Sequence, residues 1–355
     1  MKTKVLIVDD SAYTRQTMKK MLEEVSSLEV VGIASDGIDA MAKTLRLRPD
    51  IITLDFEMPE MDGFSFLRWL MKERPTPVIM VSSHNDSKTV FKALELGAVD
   101  FIAKPTRRAS VELQTIEKDL IRKIKGIKDI RLEVLSRNLE FLKSEEIVAT
   151  PEVRSKQHAI DVVAIGSSTG GPAALQIILT RLPAEFQAAV IISQHMPKGF
   201  TGPLAERLDK LSQLKIKEAE EGDQISKGTV YVCPGGVHLG ISQKKQKLVI
   251  ALKEGRLTDK YTPSVDYMMT SAAEHYGASS MGVILTGMGN DGRNGMLEIK
   301  TKGGYTIAEA ESSAVVFGMP AEAIKNGAVE TVLPISEIPS AIIRVVNNPH
   351  NRGRN

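Results

Sequence analysis

A single cysteine, Cys233, stands in the 355 residues, so neither an intrachain disulfide framework nor a cysteine-rich metal site is open to this chain. No apolar run reaches membrane-spanning length, and Met1-Lys-Thr-Lys leads straight into a strand pattern rather than a signal peptide. Net charge is scarce too. A balance of +2, with 25% of residues charged, gives no electrostatic footprint for nucleic acid or for a strongly acidic partner. There is no internal repeat and no low-complexity block. The expectation is a cytoplasmic protein with no nucleic-acid partner and no direct membrane insertion. The length allows two domains with full cores.

The N-terminal part alternates strand and helix. Lys4–Asp10 is a buried strand pattern ending in two carboxylates, Asp9 and Asp10. Ile51–Asp55 ends in a third, Pro77–Ser82 in a hydroxyl, and Phe101–Lys104 in an ammonium before Pro105. With Val30–Ala34 these make five strands separated by helical segments, which predicts a parallel, doubly wound α/β sheet. Ligands of such sheets bind outside the carboxyl ends of the strands, where Asp9, Asp10, Asp55, Ser82 and Lys104 all fall. Three clustered carboxylates repel one another unless a hard cation neutralises them, and Mg²⁺ takes such oxygen ligands. One carboxylate can then attack a phosphoryl group whose oxygens meet Lys104 and Ser82.

These residues, together with Met58-Pro59 and Asp62-Gly63, resemble the receiver domain of bacterial response regulators over residues 1–125. The resemblance implies that Asp55 is phosphorylated by a histidine-kinase partner. It also implies that Asp10, Asp55 and the backbone carbonyl of Glu57 bind Mg²⁺, with Asp9 supporting them. Phe101 falls at the family's aromatic switch position. Residues 126–158 read as a charged, partly helical linker, in which Ile127, Ile130, Leu135, Leu139 and Leu142 recur at helical spacing and Pro151 marks a polar stretch. Residues 347–355 read as a flexible tail.

A second α/β domain is predicted over 159–346, with a parallel sheet. Ile160–Ile165 is a short β-branched strand, and Pro172 opens a helical segment. The turn between them, Gly166-Ser-Ser-Thr-Gly170, brings Ser168 to the strand end beside a helix N-terminus, where free N–H groups favour negative charge. Its letters fit the G-x-S-x-G nucleophile pattern but neither phosphate-binding fingerprint. Ala188–Ser193 is a strand followed by Gln194-His195. Met281–Thr286 is another, followed by Gly287-Met-Gly-Asn-Asp-Gly292. Residues 228–234 and 236–241 read as a β pair around Pro234-Gly-Gly236, and 247–252 as a further strand.

A serine nucleophile needs a base, and the base an orienting carboxylate. Of six histidines, only His195 sits at the end of a predicted parallel strand; the others are His84, His158, His238, His275 and His350. Asp291 lies at the equivalent end of the Met281–Thr286 strand. Topology therefore gathers Ser168, His195 and Asp291 at one sheet edge. Singly, each has an ordinary reading, His195 as a core histidine and Asp291 as a helix N-cap; jointly those readings are poor. Cys233 is the rival nucleophile, within an apolar strand. A triad by itself is equally open to a serine peptidase or a general esterase. A DNA-binding regulator would need a helix-turn-helix and a basic face, and neither is visible.

Five segments resemble the chemotaxis methylesterase family, CheB: Ile165–Gly171, Gln194–Thr201, Pro263–Asp266, Leu285–Gly292 and Val315–Pro320. With the receiver, the resemblance covers nearly the whole chain. It implies a hydrolase of glutamate methyl esters, and a deamidase of glutamines, on chemoreceptors. It further implies that the Thr169 and Met288 N–H groups hold the oxyanion and that the ester chemistry takes no cofactor.

Overall fold

The structure is a computed structural model that describes residues 2–82, 87–104, 111–126, 130–144, 159–256 and 258–347. His84, Pro105, Ile127, the stretch 145–158 with Pro151 and His158, and the tail from 348 with His350 lie outside them. The chain divides into two compact units, Met1–Ser136 and Arg137–Asn355. Among the described residues no helix is long and apolar enough to cross a membrane.

The first unit runs β1 (Thr3–Val8), α1 (Ala12–Glu23), β2 (Leu28–Ala34), α2 (Gly37–Leu47), β3 (Ile51–Leu54), α3 (Gly63–Glu73), β4 (Val78–Ser82), α4 (Ser87–Glu95), β5 (Asp100–Ala103) and α5 (Val111–Lys125). The five strands pair in the order β2-β1-β3-β4-β5, all parallel. Every residue of β3 and β4 is buried, as a parallel sheet covered on both faces requires. Val5, Ile7, Leu22, Ile79, Ile102 and Leu120 pack together in its core. Reversal of strand order around β1 opens a crevice at the carboxyl ends of β1 and β3.

Next comes α6 (Leu132–Lys143). From Arg137 onward it belongs to the second unit. Asn138 Nδ2 donates to the Ser313 carbonyl at 2.9 Å, and Arg181 donates to the Phe141 carbonyl at 3.1 Å with its guanidinium 4.2 Å above the Phe141 ring.

The second unit continues with β6 (Val162–Ser167), α7 (Gly171–Leu179), β7 (Ala189–Gln194), α8 (Thr201–Leu211), β8 (Lys215–Glu218), β9 (Thr229–Val232), β10 (Val237–Lys244), β11 (Lys247–Glu254), α9 (Val265–Tyr276), β12 (Ser280–Ile284), α10 (Arg293–Thr301), β13 (Tyr305–Glu309), α11 (Met319–Lys325), β14 (Thr331–Leu333) and α12 (Ile338–Val346). Seven strands form one parallel sheet in the order β14-β13-β12-β6-β7-β9-β8. All residues of β6, β7 and β12 are buried. From β6 the chain builds outward through β7 on one side and returns as β12 on the other. The switch point therefore lies at β6.

The β pair expected across Pro234-Gly-Gly236 does not form. β9 runs parallel between β7 and β8, while β10 pairs antiparallel with β11 from Val237↔Glu254 to Lys244↔Lys247. Gly235 leads the chain away, its backbone lying so close to Pro197 that a Cβ would meet the Pro197 carbonyl at 2.5 Å. The true hairpin turn is Lys245-Gln246, with φ of 47° and 65°. Two consecutive left-handed residues are the signature of a tight hairpin normally written Asn-Gly, so the letters gave no signal. The strand β8 also escaped the sequence reading, because its Lys-Ile-Lys-Glu buries only Ile216 fully at the sheet edge.

Replacing Lys245-Gln246 by Asn-Gly relieves two left-handed residues with side chains, and is expected to stabilise the second unit by about 1 kcal/mol. The measurement is the urea midpoint of that unit. An unchanged or lower midpoint would refute the turn geometry.

Candidate active site

Two constellations sit at strand ends, one in each unit. In the first, ligand atoms of Asp9, Asp10 and Asp55 all lie within 4.8 Å of one another. Lys104 Nζ lies 2.6 Å from Asp55 Oδ2, 3.4 Å from Asp9 Oδ2 and 3.9 Å from Asp10 Oδ1. The Lys104 N–H donates to the Ser82 carbonyl at 2.7 Å, which ties the β4 and β5 ends together. Burial and the neighbouring Asp55 charge push the Asp9 carboxyl up to about 6, against the pull of Lys104. Burial likewise raises Asp55 despite its bond to Lys104. Burial works against the Lys104 ammonium, but the surrounding carboxylates hold its pKa above the ordinary value. One ammonium thus faces three carboxylates.

The donor set fits a hard divalent cation. Asp9 Oδ2 is buried with only the Lys104 ammonium 3.4 Å away and no well-aligned hydrogen bond, and the Glu57 carbonyl accepts none from a backbone N–H among the described residues. Phe101 is buried on β5, with Lys123 Nζ 5.4 Å from its ring centroid.

The second constellation is assembled by strand register. β6 and β7 pair up to Ser167↔Gln194, so Ser168 and His195 are the next residues on adjacent parallel strands. The His195 N–H donates to the Ser167 carbonyl at 3.0 Å. On the other flank, the Ser168 N–H donates to the Thr286 carbonyl at 3.0 Å, just beyond β12. Ser168 is buried, and the left-handed residue of its turn is Gly170, with φ of 79°, which caps α7. The serine itself is not among the positive-φ residues, unlike the strained serine of an α/β-hydrolase elbow.

His195 Nε2 and Asp291 Oδ2 are 2.8 Å apart, and both side chains are buried. Asp291 also accepts from the N–H groups of Val265 (2.7 Å) and Asp266 (2.9 Å) and from the Ser264 hydroxyl (3.1 Å), all at the N-terminus of α9. Burial alone would raise this carboxyl. The bond to His195 and the backbone donors outweigh it and hold the pKa below the usual carboxylate value. Asp291 is therefore an acceptor, and Nε2 carries the hydrogen. His195 Nδ1 is buried without a hydrogen-bond partner. Tyr261 stacks on the imidazole, with centroids 4.8 Å apart and planes 6° from parallel.

Thr169 follows Ser168 in the chain, and Met288 follows Gly287, which packs against Ser168. A Cβ on Gly287 would stand 2.7 Å from Ser168 Cβ. Cys233 is fully buried in the core, and burial pushes its thiol up to about 12, so it is not a reactive thiolate.

Several residues here were not singled out from sequence. Gln194 accepts from the Ser167 hydroxyl at 2.6 Å and donates to the carbonyls of Ser168 (2.9 Å) and His195 (3.1 Å). It staples both strand ends together. The stretches Gln194–Thr201 and Pro263–Asp266 were the available signals for Gln194 and Ser264; Tyr261 had none in local pattern. A cavity of about 410 Å³ beside Asp291 is walled by Tyr261, Tyr267 and Asn290 and by three cations, Lys253, Arg256 and Lys260.

Comparison with known proteins agrees along the whole chain. A family model described as CheB methylesterase matches residues 163–342, and one described as a response regulator receiver domain matches residues 5–115. A protein-glutamate methylesterase/protein-glutamine glutaminase of Geobacter sulfurreducens is 44% identical over 97% of each chain. One from Pyrococcus horikoshii is 41% identical over 97% of this chain and 94% of its own. The crystal structure of the Thermotoga maritima CheB methylesterase catalytic domain is 44% identical, with a TM-score of 0.52, covering 53% of this chain and all of that one.

In Gly287→Ala the new methyl would stand 2.4 Å from Met319 Sδ and 2.7 Å from Ser168 Cβ, so the serine must shift. Turnover is expected to fall on the order of 10²-fold in protein that remains folded. Wild-type turnover would show that this contact does not position Ser168.

Proposed function

The chain belongs to the CheB methylesterase family and carries a response-regulator receiver domain ahead of its esterase domain, and on that premise we propose that it demethylates glutamate methyl esters, and deamidates glutamines, on chemoreceptors through Ser168, His195 and Asp291. The observation that carries this reading is the buried 2.8 Å bond between His195 and Asp291, one register step from Ser168.

Ser168 Oγ attacks the γ-carbonyl carbon of the methylated glutamate. Because Nε2 is committed to Asp291, Nδ1 is the nitrogen that takes the serine proton. Asp291, held ionised by its other donors, stabilises the imidazolium that forms. The Thr169 and Met288 N–H groups receive the oxyanion, a donor of this kind being worth ~10²–10³ in rate. The C–O bond then breaks, and the Nδ1 proton leaves with methoxide as methanol. Water attacks the acyl-enzyme with His195 again as base and frees the carboxylate. For glutamine the leaving group is ammonia. The ester chemistry uses no cofactor.

The receiver supplies control. Asp55 accepts a phosphoryl group from the histidine kinase of a chemotaxis two-component system, and Lys104 and Ser82 meet the phosphoryl oxygens. Asp10, Asp55 and the Glu57 carbonyl would hold Mg²⁺, with Asp9 behind them. When bound there, the cation offsets the crowded negative charge. Phosphorylation adds charge and acceptors at the β4 and β5 ends, which can draw neighbouring loops inward.

Methanol release from receptor-bearing membranes is the direct test. Ser168→Ala is expected to abolish it, and Ser167→Ala to keep most of it. His195→Ala and Asp291→Asn should each cost orders of magnitude yet add little to Ser168→Ala, because members of a triad act as a unit. Cleavage of peptide substrates without methanol release from methylated receptors would favour a peptidase or general hydrolase instead.

A phosphodonor with Mg²⁺ is expected to raise turnover of the wild type and to leave Asp55→Asn at its basal rate. A fragment beginning at Arg131, which keeps α6, should exceed the unphosphorylated full-length chain. A fragment no faster than that would replace relief of restraint by active stimulation.

A further inference from the structure

Behind the nucleophile turn lies a buried carboxyl that the reaction scheme leaves unused. Glu309, the last residue of β13, has no exposed surface. Its Oε2 accepts the Thr286 N–H at 2.8 Å, and its Oε1 accepts the Ser313 hydroxyl at 3.0 Å. Thr286 then grips the turn at two consecutive residues. Its carbonyl accepts the Ser168 N–H at 3.0 Å, and its hydroxyl donates to the Thr169 carbonyl at 2.9 Å. That hydroxyl also accepts the Val316 N–H at 2.9 Å, so its hydrogen and one of its lone pairs are committed. Gly287 and Met288 follow directly in the chain.

The other side of Glu309 is anchored as firmly. The Ser313 hydroxyl oxygen accepts the Ile335 N–H at 2.8 Å, and the Ser313 carbonyl accepts from Asn138 of α6 at 2.9 Å. A continuous set of buried hydrogen bonds thus runs from α6 through Ser313, Glu309 and Thr286 to the proposed nucleophile and oxyanion loop.

We propose that Glu309 is a positioning residue for the ester hydrolysis: by holding the Thr286 N–H from a fully buried site, it fixes the main chain of Ser168, Thr169 and the Gly287-Met288 loop. This rests on the reading of Ser168 as nucleophile. The geometry asks for an acceptor toward Thr286 and any hydrogen-bonding partner toward Ser313. Ser313 can reverse its role, since its hydroxyl also reaches the Ala310 carbonyl at 3.5 Å. A neutral carboxyl or a carboxamide therefore satisfies both ends, whereas a methyl group orphans a buried N–H.

Burial pushes the Glu309 carboxyl up to about 7, against the Thr286 and Ser313 hydrogen bonds, and no charged side chain contributes to the shift. The sign is that of a raised acid. Its stability contribution is fully present below the ordinary value of 4.5 and is lost as pH rises through about 7.

The experiment compares wild type, Glu309→Ala and Glu309→Gln in the full chain, reading methanol release from methylated receptor membranes and thermal unfolding across pH. Glu309→Ala is expected to lose on the order of 10²-fold in kcat with KM little changed, as misplacement of reacting groups does. Glu309→Gln is expected to keep kcat near wild type. Its Tm advantage over wild type should grow from pH 4.5 to about 7 and level off above. If too little Glu309→Ala folds for assay, Ser313→Ala, which removes one of the two bonds, should give an intermediate kcat.

Folded Glu309→Ala or Ser313→Ala at the wild-type kcat overturns the proposal. So does an inactive Glu309→Gln, or a Tm difference that ignores pH. Absence of methanol release by the wild type itself would instead defeat the functional reading, so the two failures are distinct.

Discussion

Three main-chain hydrogen bonds hold the reactive end of the esterase unit: His195 N–H to Ser167, Leu285 N–H to Gly166, and Ser168 N–H to Thr286. They extend the parallel pairing of β7, β6 and β12 past the last strand residues. Each is worth only about 1 kcal/mol net, but leaving one of these buried groups unmade costs more. Because they prolong a fully buried sheet, the turn after β6 cannot drift relative to the loops after β7 and β12. The side-chain chemistry inherits its geometry from this pairing. Gln194 reinforces it from one side and Thr286 from the other.

The two acidic centres treat burial in opposite ways. Asp291 collects five donors, from His195, Ser264, Val265, Asp266 and Gly292, and its pKa ends below the ordinary value. Asp9 and Asp55 are buried with far fewer, and theirs end above it. The first is an anion whose charge is shared among one imidazole, one hydroxyl and three backbone N–H groups. The second is a cluster whose own side chains leave negative charge over, a donor set that suits a divalent cation. One chain thus carries a carboxylate held ionised by its donors and a carboxylate cluster crowded beyond its single ammonium.

The strand ends were readable because parallel strands announce themselves. Runs such as Val162–Ile165 and Met281–Ile284 are buried on both faces, short and β-branched, and polar residues appear where they stop. That reading placed Ser168, His195 and Asp291 at neighbouring ends, and five receiver strands in one parallel sheet. It failed where a turn used unusual letters, at Lys245-Gln246, and where an edge strand was charged, at Lys215–Glu218. It also could not see what depends on contacts distant in sequence. Tyr261 stacks on a histidine 66 positions away (261 − 195), and Glu309 holds Thr286 across two strands. Neither carries a local pattern, since a tyrosine in a loop and a glutamate at a strand end are ordinary in isolation.

The choice of imidazole nitrogen has a mechanical side. In the proposed reaction, with Nε2 bonded to Asp291, the nitrogen left to take the serine proton is Nδ1, which is attached directly to Cγ. It therefore works on a short lever whose fulcrum is the His195 main chain, itself tied to the neighbouring strand. Rattling of the side chain displaces such an atom less than it would the far edge of the ring, and the Tyr261 face damps tilting. Chemical trapping would carry the same asymmetry: an electrophile captured by Nδ1 would leave a π-substituted histidine, with the aspartate bond still in place.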